Sequence, residues 1–156
     1  TEYKRRAGFD LTGRGGVKLS DHWASGMRTK HGIHVHGFPN AFLVQPTQGA
    51  NLISNVPHNL TEAARTIALM VRHAQANGFK EIEVTKEAED RWVELLLTGA
   101  GRMIGSPDCT PGYYNNEGKS SELSVQNGFY GGGSIEFFGI LAGWRADGKL
   151  EGLELR

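Results

Sequence analysis

Ala41-Phe42-Leu43-Val44-Gln45-Pro46 and, beyond a polar loop, Leu60-Thr61-Glu62-Ala63-Ala64-Arg65-Thr66-Ile67-Ala68-Leu69-Met70-Val71-Arg72-His73-Ala74-Gln75-Ala76-Asn77-Gly78 are the stretches that decide the fold. Phe38-Pro39-Asn40 is a turn signal ahead of the first. A short, unbroken apolar run between turn formers is what a strand buried on both faces shows, so Ala41 to Val44 predicts such a strand, ending at Gln45-Pro46. The second stretch has a helical period. Ala63, Ile67, Met70, Val71 and Ala74 mark one face, with Glu62, Arg65, Arg72 and Gln75 largely on the other. Asn59 as N-cap, Glu62 as its capping-box partner and Gly78 as the stop predict a helix from Leu60 to Asn77. The loop between them, Gln45 to His58, is rich in Gly, Pro, Asn and Gln, and the whole is a strand–loop–helix unit.

Downstream, Glu81-Ile82-Glu83-Val84-Thr85 alternates polar and apolar residues, as a half-exposed strand or an extended entry into the next element does. A second helix is expected from Lys86 to Leu97, capped by Thr85, with Ala88, Trp92, Leu95 and Leu96 inward. Thr98 to Gly133 is dense in turn formers, and loops longer than about 12 to 15 residues inside a compact domain are commonly functional. Ser134 to Arg145 fits a helix through Ile135, Phe138, Ala142 and Arg145, or a buried strand over Phe137 to Ala142. Ser134 as N-cap and Gly148 as stop favour the helix, and Leu153-Glu154-Leu155 is a last candidate strand. Residues 1 to 40 show little hydrophobic period beyond a turn of helix at Ser20-Asp21-His22-Trp23-Ala24, and read as connecting structure lying over something else.

Composition narrows the function classes. The 156 residues are 38% hydrophobic and 22% charged, which suits one globular domain or a piece of a larger one. Lys plus Arg and Asp plus Glu each total 17, leaving no basic surplus to hold a phosphate backbone, so no nucleic-acid partner is expected. No run of about 18 apolar residues occurs, so no membrane span is expected. The opening Thr1-Glu2-Tyr3-Lys4-Arg5-Arg6 has no apolar stretch behind it, and Cys109 is alone, so the cytoplasm is the default expectation. The 22 glycines are roughly twice the usual share and point to a loop-rich fold.

Several constellations could carry chemistry. The N-terminus of the first helix presents unsatisfied N–H groups and partial positive charge, which suits an anion or a polarised carbonyl. Gly49 permits close backbone approach there, and Gln45, Gln48, Asn51 and Asn55 supply amides. Glycine-rich phosphate motifs are incomplete: Gly99-Ala100-Gly101-Arg102-Met103-Ile104-Gly105 places its third glycine one position late and follows a helix. His31, His34 and His36 invite a metal, yet only Asp21 and His22 are near enough in sequence to add ligands, so no metal is assigned. Cys109 has no evident His partner and is read as inert. Tyr113-Tyr114-Asn115-Asn116-Glu117-Gly118-Lys119 has the composition of a loop that closes over a ligand, a ring stacking and Lys119 meeting a phosphate.

Arg5-Arg6-Ala7-Gly8-Phe9, Leu19-Ser20-Asp21-His22-Trp23-Ala24, His36-Gly37-Phe38-Pro39-Asn40-Ala41-Phe42 and Ser54-Asn55 before a helix follow one another in a telling order. So do Thr110-Pro111-Gly112-Tyr113-Tyr114-Asn115-Asn116-Glu117-Gly118, Tyr130-Gly131-Gly132-Gly133 and Trp144-Arg145-Ala146-Asp147-Gly148. Together they resemble the C-terminal part of the flavin-dependent Baeyer–Villiger monooxygenases, in particular those acting on large cyclic or steroid ketones. The resemblance implies an α/β fold: the C-terminal portion of a Rossmann-like FAD-binding domain with a loop-rich C-terminal extension. It implies FAD and NADP(H) as cofactors, and a small-molecule ketone and O2 as substrates. Residues 1–40 would be a segment lying over the FAD domain, 41–97 the C-terminal part of that domain, and 98–156 the extension with its terminal helix.

The resemblance also implies roles. Gln45, Gln48, Gly49, Asn55 and Val56 would place the flavin, with Asn55 and Val56 bringing the helix N-terminus to its pyrimidine edge, where reduced flavin is negatively charged and a helix dipole stabilises it. Leu52 and Ile53 would line the ketone pocket, and Tyr113, Tyr114 and Lys119 would fall near the segment over the nicotinamide cofactor. Gln45 stands where many members carry glycine before Pro46. The family's G-x-G-x-x-G elements, its F-x-G-x-x-x-H-x-x-x-W fingerprint and its catalytic arginine are absent from this sequence, so the chain resembles the last third of such an enzyme, inactive without the N-terminal part and holding no catalytic acid, base or nucleophile of its own. A related N-hydroxylating or sulfur-oxidising flavoenzyme would share this scaffold, and a free-standing, non-catalytic interaction module is the reading from another class.

Overall fold

The computed structural model describes residues 3–45, 47–50, 55–102, 110 and 123–156. Among them no helix is long and apolar enough to cross a membrane.

The N-terminal region is more than a connector. Helices α1 (Tyr3–Ala7) and α2 (Leu19–His22), with a tight turn at Arg14–Gly16 between them, help to enclose a small core of Leu19, Trp23, Val35 and Phe38. Turns hold this core, so no sequence period announces it. Gly32 shows why glycine is needed: its φ is +71°, and a Cβ there would come within 2.7 Å of the Thr47 carbonyl oxygen.

Ala41 to Val44 does not form the expected strand buried on both faces. Phe42 makes a single antiparallel bridge to His34, Leu43 N donates to Ile33 O at 2.8 Å, and Val44 is 51% exposed. On its open side lies a groove of about 850 Å³, lined by Tyr3, Phe9, Leu11, Phe38, Phe42 and Val44 among others. The residues have strand character, but no second sheet neighbour covers that side among the described residues.

Helix α3 (Val56–Asn77) starts one turn earlier than the sequence predicts. Asn55, not Asn59, is the N-cap, its side-chain oxygen accepting from His58 N at 3.3 Å. Pro57 sits in the first turn, where its fixed φ fits and its missing N–H is no loss. Asn59 and Glu62 are therefore buried inside the helix rather than capping it, and Gly78 ends it in the left-handed conformation as expected.

Strand β1 (Ile82–Val84) pairs antiparallel with β4 (Leu153–Leu155), Ile82 opposite Leu155. β1 is buried throughout instead of half-exposed. Glu83 tolerates this because Arg14 and Arg156 meet its carboxylate at 2.9 and 3.3 Å. Helix α4 (Lys86–Leu95) carries the predicted Thr85 cap, then widens into a π-type turn, Leu96–Ala100. That turn rotates Leu96 fully inside and leaves Leu95 40% exposed, against the expectation for Leu95. Strands β2 (Gly101–Arg102) and β3 (Phe129–Tyr130) pair antiparallel, with the short α5 (Leu123–Gln126) before β3.

The helical reading of the closing segment holds as α6 (Ser134–Asp147), with Gly133 rather than Ser134 at the N-cap and Gly148 as the left-handed stop. Phe137 and Leu141, four apart, share its buried face, while Ile135 is 91% exposed. α3 and α6 pack together over the main core, made of Ile33, Ala50, Ala63, Trp92, Leu96, Tyr130, Phe137 and Leu141. The described residues thus mix helix with short strands, and Ala50, at the end of the loop Thr47–Ala50, is part of this core.

His31 and His34 are sealed in the same region. Burial, reinforced by the nearby Lys30 charge, pushes His34 down to about 3 and His31 well below the usual imidazole range. Unfolded histidines bind a proton near pH 6.5, so below that pH the unfolded chain holds more protons than the folded one. The stability they confer is complete above about pH 6.5 and is lost as the pH falls towards the folded values. Urea titrations are expected to show a declining unfolding free energy from pH 7 to 5, approaching about 1.4 kcal/mol per pH unit for each histidine. His34→Leu should remove one proton from that slope, and an unchanged slope would contradict the assignment.

Candidate functional site

The loop after the Phe42 bridge is built around Gln48. It is fully buried and adopts φ +58°, a left-handed conformation that a non-glycine residue holds only when its surroundings determine it. Its side-chain oxygen accepts from Thr29 Oγ1 at 2.6 Å, and its Nε2 donates to Met27 O at 2.7 Å and Gln126 O at 2.6 Å. Its backbone N donates to Gly128 O at 2.7 Å, and its carbonyl accepts from Trp92 Nε1 at 3.0 Å. Gly49 O then accepts from Tyr130 N at 2.9 Å. Three distant segments, around Met27–Thr29, Trp92 and Gln126–Tyr130, therefore hold residues 48 and 49 in place. The Gln48 amide faces the protein interior with all its groups engaged, so it positions the loop and offers no side-chain contact to a ligand. Gln45 is half-buried, with Nε2 at 3.5 Å from Met27 Sδ.

At the far end of the loop, Asn55, Val56, Pro57 and His58 are all exposed. The Asn55 cap uses His58 N, Asn59 N donates to Asn55 O, and Pro57 has no N–H. Val56 N–H is thus a helix-start donor without an acceptor among the described residues, at the positive end of a helix of 22 residues. Glu62 would oppose that polarity, but its carboxylate is met by Arg145 and Arg65, each at 2.6 Å. Arg145 also donates to Thr66 Oγ1 at 2.9 Å, so α6 clamps the first turns of α3.

Of the residues singled out from sequence, Gln45, Gln48 and Gly49 share one loop, and Asn55 and Val56 form one helix end. Leu52, Ile53, Tyr113, Tyr114, Lys119 and Cys109 lie outside the described residues. The histidines form no metal centre: His34 is packed edge-on to Phe42, and His36 Nδ1 lies 2.9 Å from Val84 O. Among the described residues, no group of three or more His, Cys, Asp or Glu is placed to hold a metal. Sequence reasoning missed Trp92 N–H, Gln126 and Arg145 as supports of this site, since no period or motif encodes a contact between residues 44 to 83 positions apart.

No protein-family model matches the chain. Pentalenolactone D synthase of Streptomyces arenae is 44% identical over 155 residues, which are 99% of this chain and 26% of that protein. FAD-binding monooxygenase hmp7 of Hypomyces subiculosus is 39% identical over 96% of this chain and 25% of its own. Baeyer-Villiger monooxygenase ATR8 of Stachybotrys chlorohalonatus is 38% identical over 99% of this chain, again 25% of its own. The chain is homologous to the C-terminal part of the flavin-dependent Baeyer–Villiger monooxygenases. Solved structures of Baeyer–Villiger type agree. The polycyclic ketone monooxygenase of the thermophilic fungus Thermothelomyces thermophila superposes with a TM-score of 0.86 at 32% identity, over 97% of this chain and 25% of its own. A cyclohexanone monooxygenase mutant of Rhodococcus sp. Phi1, bound to NADP+, reaches 0.75 at 27% identity, over 99% and 26%. The chain therefore spans about a quarter of the length of the Baeyer–Villiger relatives it matches, rather than the third suggested by its motifs.

Proposed function

We propose that this chain is the C-terminal segment of an FAD-containing, NADPH-dependent Baeyer–Villiger monooxygenase, which inserts one oxygen atom of O2 beside a ketone carbonyl to give an ester or lactone. The second oxygen atom leaves as water and NADPH is oxidised to NADP+. The reading places the enzyme in the cytoplasm, where NADPH is supplied, and its substrate among cyclic ketones. The observation that carries it is the exposed N-terminus of α3, with Val56 N–H open, at the end of a loop pinned by Gln48.

These residues fit the flavin. Its pyrimidine edge carries carbonyl groups and, when reduced, negative charge, and a helix N-terminus with one open N–H complements both. FAD, once reduced by NADPH, supplies the activation of O2. The chain's part would be placement: Asn55 orders the turn, Val56 N–H would donate to the pyrimidine edge, and Gln48 and Gly49 hold the loop that leads to it. Arg145 neutralises Glu62 so that the helix end stays positive. By the family resemblance, Leu52 and Ile53 would serve the ketone pocket, and Tyr113, Tyr114 and Lys119 the nicotinamide side. The open groove beside Phe42 and Val44 favours a segment that completes a larger domain over a free-standing interaction module.

Val56→Pro in the intact enzyme tests the helix end. Proline is well suited to the first helical position, and Asn55 already has ψ 114°, the extended backbone that a following proline prefers. The substitution therefore deletes one N–H and leaves α3 intact by circular dichroism. Flavin affinity is expected to fall about 3- to 10-fold, with more NADPH consumed without product. Unchanged affinity and coupling would remove Val56 from the flavin site.

A further inference from the structure

Away from the α3 terminus, a pocket of about 240 Å³ opens between α4 and α6. Its walls are Trp92, Leu95, Ile140 and Trp144, its floor is Lys30 and His31, and Arg91 and Glu151 stand at the rim. Lys30 is only 7% exposed, yet its ammonium has no carboxylate within ion-pair distance among the described residues. Its Nζ donates to the neutral carbonyl of Glu151 and lies 4.9 Å from the Trp144 ring centre. Trp144 Nε1 donates to that same carbonyl at 2.9 Å. Gly152 makes room for the amine, since a Cβ at that position would come within 2.8 Å of Nζ. A buried cation is ordinarily paired with an anion, and here the nearest carboxylate, Glu151, points to solvent in a loose 3.6 Å contact with Arg91.

We propose that this pocket binds a small planar aromatic carboxylate, its ring against Trp144, Leu95 and Ile140 and its carboxylate on the Lys30 ammonium. The geometry supplies both halves of that recognition. Trp144, Leu95 and Ile140 give an apolar wall for a single ring, while Trp92 behind them is stacked on Tyr130 and packed against His31. Lys30 keeps donors beyond the one directed at Glu151 O, and Arg91, 62% exposed and held among the described residues only by its 3.6 Å contact with Glu151, can add a second cation. Burial, with Arg91 adding to it, pushes the Lys30 ammonium down to about 8, against an opposing pull from Glu151. Its charge is thus under-compensated, and a bound carboxylate would correct that. His31, neutral and edge-on to Trp92 at 4.7 Å, adds no competing charge.

The test titrates the intact protein with benzoate and, separately, with benzamide, its neutral counterpart of the same shape, following tryptophan fluorescence and heat of binding. Benzoate is expected to bind saturably, with benzamide about tenfold weaker or worse, and Lys30→Met is expected to weaken benzoate by at least a similar factor. No saturable benzoate binding to folded protein, or benzamide binding as well as benzoate, would overturn the proposal, as would a folded Lys30→Met protein that binds benzoate normally. The comparison of the two ligands on the unaltered protein decides the matter even where Lys30→Met does not fold.

Discussion

Trp92→Ala is expected to lower the unfolding free energy by about 3 to 5 kcal/mol, the largest effect of any single substitution considered for this chain. The indole is 5% exposed and stacks on Tyr130 at 5.6 Å and 17°, with Phe137 at 6.0 Å and the edge of His31 at 4.7 Å. Alanine would leave a cavity at the meeting point of α4, β3 and α6, and core packing relaxes only partly around such a loss. It would also strand the Gln48 carbonyl, which is buried and accepts from Trp92 Nε1 at 3.0 Å. Trp92→Phe separates the two effects. It keeps most of the ring but deletes the donor, and is expected to cost about 1 to 3 kcal/mol. Urea denaturation read by circular dichroism checks both values, and a loss below about 1 kcal/mol for Trp92→Ala would show that the core closes over the gap. In the intact enzyme, Trp92→Phe should also loosen the flavin without unfolding the protein, because the released carbonyl belongs to the loop that leads to α3.

Arg145→Met is the second large effect, at about 3 kcal/mol. Both members of its pair are substantially buried, with side-chain exposures of 16% for Arg145 and 6% for Glu62. Removing the guanidinium leaves Glu62 with Arg65 alone, which is 64% exposed and reaches the carboxylate from the solvent side. Adding Glu62→Gln to Arg145→Met should restore part of the loss, since the stranded charge goes with it. Burial by itself would raise the Glu62 carboxyl, but Arg145 and Arg65 outweigh it and hold the group below the usual range. Stability from this pair is therefore present above the unfolded glutamate value of about 4.3 and is lost as the pH falls below it. Arg145→Met should flatten that acid limb, and a variant with unchanged stability and an unchanged limb would contradict the clamp.

Helix α3 shows how much was legible and where reading stopped. Its period, its apolar face and its Gly78 stop are local properties, and all of them hold. Its start was misplaced because Asn55 and Asn59 are both good caps, four residues apart, and the choice depends on what surrounds Glu62. Arg145, 83 residues away, takes Glu62 into the core, so Asn59 becomes an interior residue and Asn55 the cap. Strand β1 repeats the lesson: alternation marked Glu83 as outward, whereas Arg14 and Arg156 bring it inside. For the site, the sequence groups Gln45, Gln48 and Gly49 on one loop and Asn55 and Val56 at one helix end, but it does not show that the Gln48 amide is engaged by Met27, Thr29 and Gln126.

What the sequence determined by itself was what neighbours along the chain carry: the existence of the helices around Leu60–Asn77 and Lys86–Leu97, Gly78 and Gly148 as stops, the Thr85 cap, the preference for helix across Ser134 to Arg145, and the order of motifs that marks the Baeyer–Villiger relationship. Only the tertiary structure decided which polar groups lie inside. Lys30, Gln48, Glu62 and Glu83 are each buried beside partners 19 to 121 residues distant, and burial of a polar group follows from its partners rather than from its own position in a pattern. The physical reason is that periodicity reports which face of an element is apolar, whereas a buried charge or amide is stabilised by donors and acceptors that the fold alone brings together.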